Sequence, residues 1–331
     1  MSTINEVAAR AKVSVATVSR VINEMPNVAA KTKDKVLKAI EELKYQPNAM
    51  GSLLRKDRTN MVLVLLHSVD NPFFSSIVQG IEEVAQHNNY NVLISTTYGQ
   101  HKREQHYIKM LKQHFVDGII LITNTLNVEE INELSESYPL AQVLEYVPNS
   151  SEVYFSIDFY SVAKKVVEHL VNQGRKKIAF VHTGLIDIAS TQAKYQAYKD
   201  VLEANHLEVI TKELKNYPFG FESGKRIAKE LLHLYPYIDG FFASSDLIAA
   251  GILDELKVRH IQVPKEMAVF GFDNTGYGQL TQPKLSTVDL NGFQMGKASM
   301  QYILDRLHKS NSIKKSILFG AQLLLNASTE R

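Results

Sequence analysis

The 331-residue sequence contains no cysteine. This absence excludes disulfide bonds, thiolate catalysis and zinc sites with cysteine ligands. Long hydrophobic runs are also missing, because the most apolar stretches, 61–66 and 118–122, are far shorter than the roughly 20 residues of a membrane-spanning helix. The N-terminal segment MSTINEVAAR lacks the basic and then apolar pattern of a secretion signal. We therefore expect a cytoplasmic protein that does not contact a membrane.

Charge of one sign is not in large excess, since 37 Lys and Arg residues stand against 35 Asp and Glu residues. The distribution is uneven, however. Residues 1–58 hold 11 basic and 6 acidic side chains, a net charge of +5, whereas the rest of the chain carries a net charge of −3. A basic segment on a slightly acidic body favours a polyanionic partner for that segment alone. The plainer alternative is a solvated surface on which charge is scattered.

The first 45 residues have the pattern of three short helices. Thr3 and Glu6 form a capping-box pattern at the start of the first helix. Ser14 can cap a second helix, whose apolar residues recur at helical spacing. A third helix follows near Thr32, with these apolar residues on one face: Val36, Leu37, Ile40 and Leu43.

The second helix has the residues that reading of a DNA major groove requires. Val15 and Ala16 offer apolar contacts to base edges, and Thr17 and Ser19 can donate hydrogen bonds to phosphates. Arg20 can bind a guanine edge or a phosphate. The spacing alone is equally typical of a solvated amphipathic helix.

From Met61 onward, short apolar runs alternate with amphipathic helical stretches. Such repeated β–α–β units predict parallel, doubly wound sheets, and this length of chain predicts two α/β subdomains. Ligands of such folds bind beyond the carboxyl ends of the strands, here in the cleft between two sheets. Strands are predicted over 61–67, 91–95, 118–122, 141–144, 177–181, 240–243 and 267–271, and helices over 74–87, 103–114, 162–173, 194–204, 223–234 and 246–256.

Catalytic motifs are weak. His101 and His106 lack metalloprotease spacing, and no G-x-S-x-G nucleophile elbow is present. The segment 220–226 (GFESGKR) resembles a phosphate-binding loop only superficially, because three residues separate its glycines and Arg226 follows the lysine where Ser or Thr is needed. We therefore expect a protein that is not an enzyme and that uses no cofactor or metal.

Several segments together closely resemble the lactose repressor/galactose repressor (LacI/GalR) family of transcription regulators. The first two are highly specific to that family, and the others extend the resemblance through almost the whole chain: 3–8 (TINEVA), 13–23 (VSVATVSRVIN), 45–49 (YQPNA), 71–74 (NPFF), 116–120 (VDGII), 245–246 (SD), 271–273 (GFD) and 283–288 (PKLSTV).

The resemblance implies three regions: a helix-turn-helix domain over 1–47, a hinge helix and linker over 48–60, and an effector-binding and dimerisation domain over 61–331 that resembles type I periplasmic binding proteins. It also implies a homodimer on a near-palindromic DNA operator, with paired hinge helices in the minor groove and Leu54 wedged into the central base step. The implied DNA-contacting residues are Thr3, Ser14, Val15, Ala16, Thr17, Ser19, Arg20, Asn23, Tyr45, Asn48, Ala49, Leu54 and Arg55.

The same resemblance implies a small-molecule effector between two sensor subdomains, expected to be a sugar or sugar derivative. Phe74 can instead be core, Asp158 can instead cap a helix, and Lys194 can instead be solvated. Asp246 can cap its helix and face the cleft. The implied effector-binding residues are Phe73, Phe74, Asp158, Lys194, Phe219, Asp246 and Asp273.

Departures from the family pattern affect both regions. Gly51 and Ser52 stand where relatives often have Ala and Arg, which predicts weaker folding of the hinge helix away from DNA. Ala29 stands where a helix-capping Ser is usual, and the loss of such a cap costs about 1 kcal/mol of helix stability. Lys194 replaces an Arg and cannot reproduce its planar fork of donors, which predicts a different effector or a different set of hydrogen bonds.

The residues also allow three other interpretations. The effector can be a nucleoside or purine, or the chain can be a sugar-binding transport protein. An enzyme acting on a small carbohydrate is the third possibility, although no nucleophile or acid/base pair stands out. The basic N-terminal segment and the lack of a secretion-signal pattern argue against the transport protein.

Overall fold

A computed structural model describes residues 2–23, 25–46, 58–123, 125–182, 188–213, 219–309 and 315–330. The chain divides into two compact units, Met1–Thr59 and Asn60–Arg331, which we call the head and the body. The predicted hinge helix, including Asn48, Ala49, Leu54 and Arg55, lies outside the described residues, so the expectations for Gly51 and Ser52 stay predictions.

The head contains the three predicted short helices: α1 (Ile4–Ala11), α2 (Val15–Ile22) and α3 (Ala30–Glu42). The capping box predicted at the start of α1 is present, because Thr3 Oγ1 accepts from the Glu6 N–H and a Glu6 carboxylate oxygen accepts from the Thr3 N–H. Ser14 caps α2 through its hydroxyl, as predicted. Val7, Val18 and Val36 are fully buried between the helices and form the centre of the head's core.

In α3, the expected lack of a side-chain cap is found, but one residue of the predicted apolar face points to solvent. Ala29 occupies the N-cap and makes no side-chain hydrogen bond, as expected for a residue without a hydroxyl. The predicted apolar face is wrong at Leu37, which is 46% exposed. Successive helical residues are about 100° apart around the axis, so Val36 and Ala39 point to the core while Leu37 points away from it.

The body is built from β–α units, which confirms the predicted α/β fold. Along the chain its elements are β1 (Met61–Leu66), α4 (Pro72–His87), β2 (Asn91–Thr96), α5 (His101–Lys112), β3 (Gly118–Leu121), α6 (Val128–Ser137), β4 (Leu140–Val143), β5 (Tyr154–Ile157), α7 (Phe159–Asn172), β6 (Ile178–His182), α8 (Ala189–Ala204), β7 (Ile210–Glu213), α9 (Phe221–Leu234), β8 (Gly240–Ala243), α10 (Asp246–Val258), β9 (Ala268–Phe270), α11 (Gly276–Leu280), β10 (Thr287–Asp289), α12 (Gly292–Leu307), β11 (Ile317–Phe319) and β12 (Gln322–Leu324). None of the helices in the described ranges is long and apolar enough to cross a membrane.

Two parallel sheets organise the body. The first has the strand order β11-β5-β4-β3-β1-β2 and the second has the order β7-β6-β8-β9. Strands β1, β3 and β6 are almost wholly buried, which explains why they appear in the sequence as continuous apolar runs.

The chain crosses between the two subdomains three times within the described residues. It crosses from β5 to α7, from β10 to α12, and from β11 to β12, and β10 and β12 form a short antiparallel pair. A parallel bridge from Phe270 to Ser286 ties this pair to the second sheet. The carboxyl ends of β4 and β9, one in each sheet, lie near each other, because the residues that follow them, Glu145 and Asp273, both interact with Lys194.

Helices α4 and α12 of the first subdomain cross at very close range. A Cβ atom at Gly80 would overlap the carbonyl oxygen of Phe293, and one at Gly296 would overlap backbone atoms of α4. Lys297 of α12 links the two helices, because its Nζ lies 2.7 Å from a carboxylate oxygen of Glu83 on α4 and 5.5 Å from the Phe293 ring.

Helices α9 and α10 of the second subdomain repeat this arrangement. A Cβ atom at Gly251 would overlap the carbonyl oxygen of Phe221, and Gly224 approaches the backbone of α10 equally closely. Lys225 Nζ lies 2.7 Å from Asp254 and 5.6 Å from the Phe221 ring. The loop-like segment 220–226 therefore has a packing explanation, since its glycine and lysine serve a helix crossing.

Candidate DNA-binding face and effector site

The start of α2 is fixed by local hydrogen bonds. Ser14 Oγ accepts from the Thr17 N–H at 3.2 Å and lies 2.9 Å from Thr17 Oγ1. At the other end, the Asn23 side-chain amide donates to the Ser19 carbonyl at 2.8 Å and approaches Ser19 Oγ at 3.4 Å. These polar side chains hold the helix ends in place and remain at least partly accessible.

One face of α2 is turned away from the head's core. Ala16, Arg20 and Asn23 are exposed at spacings of three to four residues, so they share one side of the helix. Val15 is half-buried and packs against the core, which leaves Ala16 as the more accessible of the two predicted apolar contacts. Thr3 is exposed at the start of α1, whereas Tyr45 is half-buried against the same core.

In the body, three buried charged side chains gather where the two sheets meet. Glu145 follows β4 of the first sheet, Asp273 follows β9 of the second, and Lys194 lies on α8. Their exposed fractions are 9%, 9% and 6%. We call Glu145, Lys194 and Asp273 the cleft triad. Lys194 and Asp273 were predicted for this site, and the alternative that Lys194 is solvated is wrong.

Glu145 connects the subdomains directly, although no sequence pattern singled it out. Its carboxylate oxygen Oε2 accepts from the Ser190 N–H at 3.2 Å, in the first turn of α8. Burial raises the pKa of Glu145, while its hydrogen bonds with Ser190 and the charge of Lys194 oppose that rise. A carboxylate at a helix N-terminus is favourably placed toward the helix dipole.

Lys194 lies against two aromatic rings. Its Nζ is 4.6 Å from the centroid of Phe272 and 5.5 Å from that of Phe159. Burial lowers the pKa of the ammonium group, and the charges of Asp273 and Glu145 counter this effect. Among the described residues no carboxylate lies within ion-pair distance of this Nζ, so its donors remain available to a third group.

Asp273 is held in an unusual backbone conformation, with φ of +104°. A non-glycine residue in this region costs about 1–3 kcal/mol and persists only where its surroundings impose it. The Asp273 N–H donates to the Val288 carbonyl at 3.1 Å, which fixes the turn after β9. Burial raises the pKa of Asp273 well above its ordinary value; Lys194 opposes the rise and Asp246 adds to it.

Asp246 has structural partners of its own. The cap of α10 is Ser245 rather than Asp246, so the capping expectation is wrong. One Asp246 carboxylate oxygen accepts from Thr287 Oγ1 at 2.5 Å, and the other accepts from the Thr275 N–H at 2.6 Å and its hydroxyl at 3.2 Å. Burial raises its pKa to about 6. These bonds tie α10 to the segments after β9.

Asp158 takes the capping role that the sequence left open. It is exposed, and it accepts from the N–H of Ser161 at 3.0 Å and from its hydroxyl at 2.5 Å. These bonds from Ser161 lower the pKa of Asp158. Its carboxylate thus stabilises the start of α7.

The predicted aromatic residues divide differently from the expectation. Phe73 and Phe74 are buried in the core of the first subdomain, which is the plainer reading of Phe74, and Phe219 packs half-buried against the second core. The rings beside the cleft triad are instead Phe159 and Phe272, 6.4 Å apart and stacked. Phe272 lies in the 271–273 motif, but no signal in the sequence singled out Phe159.

Comparison with known proteins relates both parts of the chain to regulators. Residues 3–48 match the family described as bacterial regulatory proteins of the lacI family, and residues 167–329 match the periplasmic binding protein-like domain. The ribose operon repressor of Halalkalibacterium halodurans is 32% identical over 309 residues, covering 93% of this chain and 91% of the relative. The protein is a member of the LacI family. The HTH-type transcriptional repressor CytR of Escherichia coli K12 is 29% identical over 329 residues, covering 99% of this chain and 96% of that protein.

Solved structures agree with this assignment of the LacI-family fold. A complex of the transcriptional regulator CelR with cellobiose has a TM-score of 0.70 and 26% identity, covering 99% of this chain and 100% of the other. The lac repressor dimer bound to operator and the anti-inducer ONPF has a TM-score of 0.84 and 22% identity, covering 99% of both chains. The latter shows the shared fold alone. The protein is accordingly a DNA-binding transcription regulator with a helix-turn-helix domain and a periplasmic-binding-protein-like domain.

Proposed function

We propose that this regulator is a repressor that binds a near-palindromic operator as a homodimer and changes its affinity for DNA when a carbohydrate occupies the cleft. The exposed face of α2 carries the DNA-binding half of the proposal. Ala16 and Arg20 are directed away from the head's core, which is the arrangement that a recognition helix in the major groove needs.

The proposed contacts follow from side-chain chemistry. Arg20 forms a bidentate pair with a guanine, and Ala16 contacts an apolar base edge such as a thymine methyl. The hinge helix pairs with its copy in the minor groove, where Leu54 wedges into the central step. The remaining proposed contacts to phosphates and groove edges are those of Thr3, Ser14, Val15, Thr17, Ser19, Asn23, Tyr45, Asn48, Ala49 and Arg55.

The cleft triad supports a polyhydroxylated effector. Buried carboxylates form strong charge-assisted hydrogen bonds with hydroxyl groups, and the rings of Phe159 and Phe272 suit the C–H faces of a sugar. Phe73, Phe74, Asp158, Phe219 and Asp246 stay predictions as effector contacts. Among similar proteins, one is a ribose operon repressor and another was solved in complex with cellobiose.

Control of DNA binding follows from the position of the cleft between two subdomains. An effector shifts the angle between the subdomains by the difference in its affinity for the two shapes. That angle sets the spacing of the two hinge segments in the dimer and hence whether they can fold together on DNA.

Exposed apolar side chains support the homodimer. Strand β2 lies at an edge of the first sheet, and Leu93 and Ile94 on it are 37% and 41% exposed. On the second subdomain, Tyr277 and Leu280 of α11 are also exposed. An edge strand with exposed apolar residues needs a cover, and a second copy of the chain supplies one.

Fluorescence anisotropy with genomic promoter fragments at two salt concentrations tests the DNA-binding half. We expect tight binding to specific fragments that weakens steeply with salt. Arg20→Ala should weaken operator binding by about 1–3 kcal/mol, roughly 5- to 150-fold, and relax the sequence preference. Lys265→Ala, which removes an exposed charge from the body, is the matched control and should bind like the wild type. Equal binding to promoter fragments and random duplex would refute the proposal.

Thermal-shift screening of the full chain against sugars, sugar phosphates and nucleosides tests the effector half. The ligand that shifts the unfolding temperature most should also change operator affinity in the anisotropy assay. Lys194→Ala should change the ranking of ligands, because it removes the buried donor of the cleft triad. An unchanged ranking would place the effector elsewhere.

A further inference from the structure

The buried charges of the cleft triad do not balance. One ammonium group, that of Lys194, stands against two carboxylates, those of Glu145 and Asp273. A third carboxylate, that of Asp246, lies close enough to raise the pKa of Asp273, and it already accepts three hydrogen bonds. With all groups ionised, the described part of the site is therefore negative.

The polar atoms of the triad are also incompletely bonded. Asp273 is nine-tenths buried, yet among the described residues no donor reaches its carboxylate. Glu145 accepts from Ser190 through one oxygen, Oε2. The Lys194 ammonium lies over rings rather than against an acceptor. Among the described residues, the Asp273 carboxylate oxygens are not among the atoms that are both unpaired and sealed from solvent, so they are open to donors from a bound molecule.

We infer that the effector carries a protonated amine among its hydroxyls, as an amino sugar or amino polyol does. The inference rests on the proposed function, since it names the chemistry of the effector at the same site. An ammonium between Asp273 and Glu145 supplies the missing positive charge and up to three hydrogen-bond donors. Lys194 then donates to a hydroxyl or ring oxygen of the same molecule.

Other effector classes fit the charges less well. A phosphate or carboxylate brought to the triad meets two carboxylates and one ammonium, so it adds repulsion in a poorly solvated site. A neutral sugar can donate hydroxyl hydrogen bonds to the carboxylates but leaves their charge unbalanced. The pKa shifts agree with this comparison, because burial raises the pKa of both Glu145 and Asp273 and a bound cation lowers both again.

Isothermal titration calorimetry on the full chain tests the inference with matched probes. Each set consists of an amino sugar, its neutral parent and the 6-phosphate of that parent, in the glucose, galactose and mannose series. We expect an amino member to bind at least tenfold more tightly than its neutral and phosphorylated counterparts. Binding should also release protons, measured as a dependence of the enthalpy on the ionisation enthalpy of the buffer, because the cation lowers the pKa of the carboxyls.

Two conservative variants assign the effect to the triad. Asp273→Asn and Glu145→Gln should each weaken amine binding about tenfold or more and reduce the proton release. Asn tolerates a positive φ, so Asp273→Asn keeps the turn. Glu136→Gln, an exposed carboxylate on α6, is the control and should change neither quantity. Far-UV circular dichroism confirms that each variant is folded.

Tighter binding of a neutral or phosphorylated member overturns the inference, as does a panel in which no amino member binds. The anisotropy assay separates this failure from that of the proposed function. If the free protein prefers its operator but no amine affects it, the regulator stands and the inference fails. If no promoter fragment is preferred with any ligand, the proposed function itself fails.

Discussion

Asp246 offers a direct test of how the second subdomain is held together. Its carboxylate is fully buried and accepts from Thr275 and Thr287, which lie 29 and 41 residues further along the chain. Asp246→Asn preserves the shape of the side chain and removes its ability to ionise. The amide oxygen can still accept from the Thr275 N–H, and the amide nitrogen can donate to the Thr287 hydroxyl, which is able to accept.

The pKa of Asp246 sets the size of the expected change in stability. Burial raises the pKa of Asp246 from 3.8 to about 6, so the folded protein binds this proton more tightly than the unfolded chain does. Its contribution to the free energy of unfolding is greatest below pH 3.8 and is lost as the pH rises through about 6. A rise of this size corresponds to about 3 kcal/mol. The stability of Asp246→Asn relative to wild type should therefore improve by about 3 kcal/mol between roughly pH 4 and pH 7.

Urea unfolding followed by far-UV circular dichroism measures this difference across the pH range. Comparing two proteins at each pH cancels the titration of every group that they share. Glu222→Gln, which neutralises an exposed carboxylate on α9, is the control and should follow the wild type. A difference between Asp246→Asn and wild type that stays constant with pH would refute the reasoning. A loss of effector affinity without a change in stability would instead restore Asp246 as a contact residue.

Three further predictions concern packing, capping and assembly. Gly251→Ala and Gly296→Ala should each lower the free energy of unfolding by about 1–3 kcal/mol or more, because the added methyl group meets the backbone of the facing helix. Gly276→Ala is the control and should be tolerated, because a Cβ atom there has open space. Urea unfolding measures all three variants, and equal stabilities would contradict the close helix crossings. Ala29→Ser should cap α3 and stabilise the head by about 1 kcal/mol, which thermal unfolding measures. Ala9→Ser, at an exposed position inside α1, is the control and should not give this stabilisation. Leu93→Asp on β2 should shift the dimer toward monomer in analytical ultracentrifugation. Leu234→Asp, at a 59% exposed leucine on α9, is the control and should not. If both variants showed the same proportions of monomer and dimer, β2 would not lie in the dimer interface.

Features that depend on residues close together in the chain could be predicted without the structure. The capping box at Thr3 and the cap at Ser14 were readable because each involves residues three apart, and the three head helices followed from them. The continuous apolar runs of β1, β3 and β6 identified buried parallel strands for the same local reason. The family resemblance extended this to the order of the two regions and to two members of the cleft triad, Lys194 and Asp273.

The positions and hydrogen-bond partners of the polar residues beside Lys194 depend on long-range contacts that the sequence pattern does not reveal. Asp246 and Asp273 look alike in the sequence, yet the first accepts three hydrogen bonds from segments folded over it, and the second has none from the described residues. Glu145 faces the cleft because α8, 45 residues away in the chain, begins beside it. Likewise Phe159 and Phe272, rather than Phe73 and Phe74, flank Lys194. Which side chains lie beside Lys194 depends on the segments that the fold brings together from the two subdomains. The spacing of residues within one segment does not contain that information.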